Sequence, residues 1–82
     1  MKSIYVGNLP YSTTNEEMNA LFSQYGKVHS VKLINDRESG RPKGFGFVEM
    51  DDEQAQAAMS ALDNTNFNGR TIRVNEANAR KQ

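Results

Sequence analysis

The segment KGFGFVEM, residues 43–50, constrains the fold more than any other stretch of the chain. Side chains along a β-strand point alternately to the two faces of a sheet, so Phe45 and Phe47 share a face with Lys43 and a glutamate. Burying two unpaired charges beside the rings would be very costly, which predicts that this face is open to solvent. The opposite face, which carries Val48, is then expected to pack in the core.

The length and composition of the chain predict one small domain. The chain has 82 residues and no cysteine, so neither disulfides nor a zinc site with cysteine ligands can contribute to its stability. No apolar run approaches the roughly 20 residues of a membrane span. We therefore expect a soluble, cytoplasmic domain over residues 1–77, followed by a short polar tail over residues 78–82.

Two helices are predicted from apolar residues spaced at i, i+3, i+4 and i+7. The first begins after Thr14, which is expected to form a capping box with Glu17, and ends before Gly26. Its apolar stripe is Met18, Leu21, Phe22 and Tyr25. The second helix is capped by Asp51 or Asp52, and its stripe is Ala55, Ala58, Met59 and Leu62.

Alternating apolar residues predict four strands, over residues 3–9, 28–34, 43–50 and 71–76. The order strand, helix, strand, strand, helix, strand is that of a βαββαβ ferredoxin-like sandwich of the α+β class. Its two helices should cover one face of a four-stranded antiparallel sheet. Residues 64–69 are predicted to form a turn-rich connection in which Phe67 packs against the edge of the core.

The distribution of charge is uneven although the net charge is zero. All ten basic residues lie outside the two predicted helices, whereas six of the ten acids lie within them or at their caps. Acids are favoured in the first turn of a helix, which explains part of this pattern. The rest of the chain carries an excess of positive charge. Binding of a protein partner to the acidic helical face stays an open alternative.

The uncovered face of the sheet is predicted to carry three aromatic rings among mostly cationic side chains. Its expected members are Tyr5, Lys32, Lys43, Phe45, Phe47, Glu49, Arg73 and Asn75. The loop over residues 35–42 adds Arg37 and Arg41. Exposed rings beside cations are typical of surfaces on which the bases of single-stranded nucleic acids stack.

Two segments resemble the paired motifs of the RNA recognition motif family. Residues 43–50 resemble its octapeptide, with Met50 where Phe or Tyr is usual, and IYVGNL at residues 4–9 resembles its companion hexapeptide. The chain looks like the free-standing single-domain members of this family found in bacteria. The resemblance implies a sheet order of 4-1-3-2 and base stacking on the exposed rings. It also implies a base contact at Asn75.

We therefore predict a monomeric protein that binds single-stranded RNA. Single-stranded DNA on the same rings, or a protein-interaction module of the same fold, are the alternatives. An acylphosphatase-like enzyme would need a glycine-rich, phosphate-binding loop after the first strand, and residues 8–12 (NLPYS) do not supply one. The sequence predicts no enzymatic activity, cofactor or metal site, and His29 is its only histidine.

Overall fold

The computed structural model describes residues 1–35, 38–40 and 42–77, and for residues 42 and 43 it describes the backbone alone. The predictions for Arg37, Arg41 and the tail over 78–82 lie outside the described residues. The backbone of Lys43 lies in a strand, but only its backbone is described. The prediction for its side chain therefore also lies outside the described part of the chain.

The described residues form an α+β sandwich, which confirms the predicted fold class. The elements are β1 (Lys2–Gly7), α1 (Asn15–Ser23), β2 (Val28–Asn35), β3 (Pro42–Met50), α2 (Asp52–Leu62), β4 (Thr65–Phe67) and β5 (Arg70–Glu76). The antiparallel sheet has the order β2-β3-β1-β5-β4, so β3 and β1 are central. Within the described part of the chain, neither helix is long and apolar enough to cross a membrane.

The core lies between the helices and one face of the sheet. Ile4, Val6, Val48 and Met50 are fully buried on the central strands, as alternation along β3 predicts. Met50, where the family octapeptide usually has an aromatic residue, therefore points into the core. Phe22 of α1 is the largest fully buried side chain.

Helix α1 begins as predicted and ends earlier than predicted. Thr14 Oγ1 accepts the Glu17 N–H at 3.1 Å, and a Glu17 carboxylate oxygen accepts the Thr14 N–H at 3.0 Å, which completes the capping box. The helix ends at Ser23, because the next bonds, such as Tyr25 N–H to Phe22 O at 3.0 Å, span three residues and tighten the last turn. Tyr25 therefore lies beyond the helix, although it still packs against the core.

The predicted connection over residues 64–69 contains a fifth strand. Thr65–Phe67 pairs with β5, and Phe67 stands opposite Arg70 across a two-residue turn. Asn68 and Gly69 in that turn have φ values of 51° and 93°, the positive values that a type I′ hairpin turn requires. Phe67 packs against the core, in agreement with the prediction. The sheet therefore has one short edge strand more than expected.

Candidate nucleic-acid interface

Pairing of the strands places four predicted site residues in one row across the open face of the sheet. Phe47 is the Cα partner of Lys32 on one side and of Tyr5 on the other, and Tyr5 is also the partner of Asn75. Directly paired residues of antiparallel strands project to the same face. The row from Lys32 to Asn75 therefore spans β2, β3, β1 and β5, and both of its terminal side chains are exposed.

Tyr5, Phe45 and Phe47 form a cluster that we call the aromatic platform. The ring centroids of Tyr5 lie 5.9 Å from Phe45 and 6.0 Å from Phe47, and those of the two phenylalanines lie 6.2 Å apart. The Phe45 and Phe47 rings meet edge to face at 89°. All three side chains are half-buried by one another and by the sheet. Mutual contact fixes the rings in place before any ligand is bound.

Gly7 provides the space into which the Tyr5 ring folds. A Cβ atom at Gly7 would lie 2.8 Å from both Cε2 and Cζ of Tyr5, closer than such contacts allow. The ring therefore lies along β1 over the backbone of Gly7, which keeps it beside Phe45. A larger residue at position 7 would displace the ring.

One end of the open face carries the Glu49 carboxylate, which accepts hydrogen bonds from two serine hydroxyl groups. Ser30 Oγ donates to one carboxylate oxygen of Glu49 at 3.0 Å, and Ser3 Oγ donates to the other at 3.3 Å. The Glu49 side chain remains exposed. Since a carboxylate repels phosphate, this end of the face is the less favourable one for the backbone of a nucleic acid.

The predicted cation at Arg73 is exposed but has a carboxylate partner. Its Nε donates to Asp63 Oδ1 at 3.3 Å, and the same oxygen accepts the Val74 N–H at 2.9 Å. The Val74 N–H, reinforced by the Arg73 guanidinium, lowers the pKa of the Asp63 carboxyl group below its ordinary value. Sequence reasoning paired Arg73 with no acid, because Asp63 lies at the far end of α2 and meets β5 only in the folded chain.

A groove beside the aromatic platform is lined by six residues that the sequence did not single out as ligand-binding, and three of these, Asn8, Tyr11 and Arg70, have polar side-chain groups. The groove has a volume of about 360 Å³. Its lining residues are Tyr5, Gly7, Asn8, Leu9, Tyr11, Gly44, Phe45, Arg70 and Arg73. Asn8, Tyr11 and Arg70 lie in or next to turns, where neither a helical nor a strand period marks them, and only their proximity in sequence to the motif strands could have pointed to them.

Asn8 joins β1 to β5 by its side chain. Its Nδ2 donates to Thr71 O at 2.6 Å, and its Oδ1 accepts from Arg70 Nη2, also at 2.6 Å. Its φ of 59° lies in the left-handed region, which asparagine tolerates. The residue is therefore both a turn residue and the link that holds Arg70 at the rim of the groove.

Comparisons with known proteins agree with this geometry. The family model described as the RNA recognition motif matches residues 4–73. A protein from Nostoc sp. that is described as a candidate RNA-binding protein, RbpE, is 51% identical over 81 residues, covering 98% of this chain and 82% of its own.

Solved structures show the same similarity. The crystal structure of the RNA-binding protein PG1 is 46% identical and superposes with a TM-score of 0.92 over 100% of both chains. A Sxl-lethal protein/RNA complex is 34% identical, with a TM-score of 0.87 over 93% of this chain and 47% of the other.

Proposed function

The chain belongs to the RNA recognition motif family, and we propose that it binds single-stranded RNA by stacking bases on the aromatic platform. The observation that carries this proposal is the mutual contact of Tyr5, Phe45 and Phe47 on the sheet face opposite α1 and α2. This is a family of RNA-binding domains and not of enzymes, so the proposal involves no reaction and no cofactor.

The proposed affinity follows from the number of rings. Replacing one stacking ring by alanine costs about 1–3 kcal/mol, so two or three stacked bases contribute on the order of 4–6 kcal/mol. A micromolar dissociation constant requires about 8 kcal/mol. Lys32 and Asn75, the exposed ends of the row, supply part of the remaining binding energy through charge and hydrogen bonds. We propose the same role for Arg73, Lys43, Arg37 and Arg41. The expected ligand length is about three or four nucleotides.

The expected ligand is single-stranded, and its affinity should depend weakly on salt. The bases of a duplex already stack on each other, so a duplex cannot present their faces to the rings. The chain has no net charge, and few phosphates can be neutralised on this face. Single-stranded DNA remains the alternative ligand, since aromatic stacking accepts both sugars and the 2′-hydroxyl alone distinguishes them.

We further propose that the chain acts as a monomer, since one sheet face supplies all three rings, and that it acts in the cytoplasm. The alternative of a protein-interaction module through the acidic helical face is less well supported, because several of its acids have structural partners. Glu17 completes the capping box, Asp51 Oδ1 lies 2.9 Å from His29 Nε2, and Asp52 lies 2.9 Å from the N-terminal amine.

The first experiment measures the fluorescence anisotropy of labelled eight-nucleotide RNA and DNA of random sequence. The test variant combines Phe45→Ala with Phe47→Ala, and the matched control is Phe67→Ala. Phe67 is also a half-buried strand phenylalanine, but it packs against the core side of the domain. We expect the double variant to lose at least about tenfold in affinity, whereas the control should lose stability and keep its affinity while folded.

Circular dichroism and thermal unfolding identify which variants remain folded at the assay temperature. The ratio of RNA to DNA affinity in the wild type then identifies the preferred ligand. Equal binding by the wild type and the folded double variant, or binding by neither, would contradict the proposal. Either result would make the protein-interaction module the better explanation.

A further inference from the structure

Glu49 is the one acid among the predicted members of the open face. It lies two residues after Phe47 on β3, so its side chain projects to the same face of the sheet as the aromatic platform. The side chain is exposed, and no ion pair joins it to a lysine or arginine within the described ranges of the chain. Because a carboxylate repels phosphate, its place on a surface for RNA requires an interaction with another part of the nucleotide.

The Glu49 carboxylate is held by one hydroxyl group from each neighbouring strand. Ser3 of β1 and Ser30 of β2 are the Cα partners of Glu49. Their hydroxyl groups donate to different carboxylate oxygens, Ser30 at 3.0 Å and Ser3 at 3.3 Å. An ionised carboxylate has about four acceptor positions on its two oxygens, so each oxygen keeps about one position for a ligand. Bonds from two strands restrain the carboxylate before binding, which lowers the entropy lost when a ligand binds.

Two adjacent acceptor oxygens match the Watson–Crick edge of guanine. That edge presents the N1–H and the N2 amino group side by side, and both can donate to the two oxygens of one carboxylate. The amino groups of adenine and cytosine each lie beside a ring nitrogen that is an acceptor, and the N3–H of uracil lies between two carbonyl oxygens. Each of these three bases would place an acceptor against a carboxylate oxygen. The positioned carboxylate therefore favours guanine.

The distance between Phe47 and Glu49 suits a purine that stacks on the ring. Two residues of a strand span roughly 6.6 Å, so the carboxylate lies beside the edge of a base stacked on Phe47. The Watson–Crick edge of a purine is at the end away from its sugar. A guanine that turns this edge toward Glu49 therefore keeps its phosphate away from the carboxylate. Its backbone then lies toward the other end of the open face, where Arg73 pairs with Gly7.

We propose that Glu49, positioned by Ser3 and Ser30, makes the binding site select guanine for the base that stacks on Phe47. This inference rests on the proposed function, because the guanine belongs to a strand held on the aromatic platform. It adds a preferred base to a platform whose rings accept any base. Ser3 and Ser30 act through Glu49 and are positioning residues.

The test compares fluorescein-labelled RNA pentamers that consist of uridines around a central G, A, C or U. The wild type should bind the G pentamer about fivefold to 150-fold more tightly than the A pentamer, the range for one bidentate contact to a base. Glu49→Gln keeps the size of the side chain but exchanges one acceptor oxygen for an amino donor. It should lower the ratio of G to A affinity to about one or less, because an amide matches the edge of adenine. The ratio is the readout, since loss of the negative charge also changes the affinity for every RNA.

The matched control is Glu76→Gln, the same substitution on the opposite face of the sheet. Glu76 is the Cα partner of Ile4, which is fully buried in the core, and directly paired residues project to the same face. The Glu76 carboxylate lies 3.2 Å from Lys2 Nζ. This control should leave the ratio of G to A affinity unchanged.

Modified bases identify the edge that Glu49 contacts. Inosine lacks the N2 amino group, so its pentamer should bind the wild type about twofold to tenfold more weakly than the G pentamer, roughly half of the bidentate contact in free energy. Glu49→Gln should bind the two pentamers almost equally. A 7-deazaguanine pentamer keeps the Watson–Crick edge and should bind the wild type as guanine does. Ser30→Ala leaves the carboxylate but removes one of its bonds, and it should reduce the ratio of G to inosine affinity less than Glu49→Gln does.

Several results would overturn the selection of guanine, and they are distinguishable. An unchanged ratio of G to A affinity in folded Glu49→Gln would mean that another group reads the base. An equal gain in affinity for all four pentamers would mean that the carboxylate only repels the RNA backbone. A ratio near one in the wild type, with binding still weakened by Phe45→Ala and Phe47→Ala, would remove the selectivity and leave the aromatic platform. Failure of the wild type to bind any pentamer would refute both proposals. Thermal unfolding of each variant verifies that it is folded.

Discussion

The two faces of the central strands differ in what their apolar side chains contact. On one face Val48 and Met50 are fully buried beneath the helices. On the other, Phe45 and Phe47 of the same strand contact mainly each other and Tyr5, and remain half exposed. Neighbouring residues of one strand therefore differ in role, since alternation places the stabilising residues on one face and the residues proposed to bind RNA on the other.

Burial and the proposed binding function are therefore separated by a single residue step along β3. A slip of one residue in the pairing of β3 would bury the rings and expose the core residues. The register is set by the pairs Ile4 with Val48 and Tyr5 with Phe47, one from each face. Substitutions on the two faces should therefore have separable effects on unfolding and on binding.

The largest expected effect comes from Met50→Ala, compared with Phe47→Ala in the same strand. Met50 is fully buried, so its truncation should lower the free energy of unfolding by about 2–5 kcal/mol. Phe47→Ala loses its ring contacts and should cost only about 1 kcal/mol of stability, but it should lose about 1–3 kcal/mol of RNA-binding energy. Urea unfolding and anisotropy measure the two quantities. Similar losses of stability in both variants would contradict the separation of the faces.

A smaller effect is expected from Gly7→Ala, which changes the open face through its backbone. The new Cβ must displace the Tyr5 ring, so affinity should fall by up to the contribution of one stacked base, about 1–3 kcal/mol. The core beneath is untouched, and the unfolding midpoint should change little. In a Tyr5→Ala background the same substitution should have no further effect on affinity, because the ring it displaces is gone. An equal loss in both backgrounds would refute this mechanism.

The smallest effect is a pH dependence at Asp63, beside the open face. The Val74 N–H and Arg73 lower its pKa in the folded protein, so the carboxylate stabilises the fold above its ordinary pKa of about 4. That contribution is lost as the pH falls through the lowered pKa. Asp63→Asn keeps an oxygen for the Val74 N–H and should weaken the decrease in stability between about pH 5 and pH 2. Urea midpoints across this range test it, and an unchanged profile would contradict the assignment.

The sequence predicted the fold well because its signals are local and periodic. The capping box at Thr14 and the alternation of residues 43–50 each specify a single element. The aromatic platform followed from the same alternation, since a strand leaves little choice of which residues share a face. Strand β4 was missed, although Asn68 and Gly69 are the residue pair that type I′ turns favour. Its three residues are too few to show a period.

The remainder of the candidate site could not be predicted because it depends on contacts between distant segments. The bond from Arg70 to Asn8 joins residues that are 62 positions apart, and Asp63 reaches Arg73 by way of a hairpin. Tyr11 follows a proline in a turn, where exposure depends on which backbone it lies against. Contacts of this kind between two separate segments leave no periodic pattern in the sequence from which they could be predicted.

The edges of the sheet bear on how this protein behaves at high concentration. One edge strand, Thr65–Phe67, has three residues, and the other, β2, pairs with β3 through register shifts near Ser30 and Leu33. Short or irregular edges are poor templates for further strands. Exposed aromatic rings promote aggregation when further strands add to a sheet and bring the rings into line. The edge strands described here are poorly suited to the addition of such strands. We therefore expect the chain to expose its aromatic rings without readily forming fibrils.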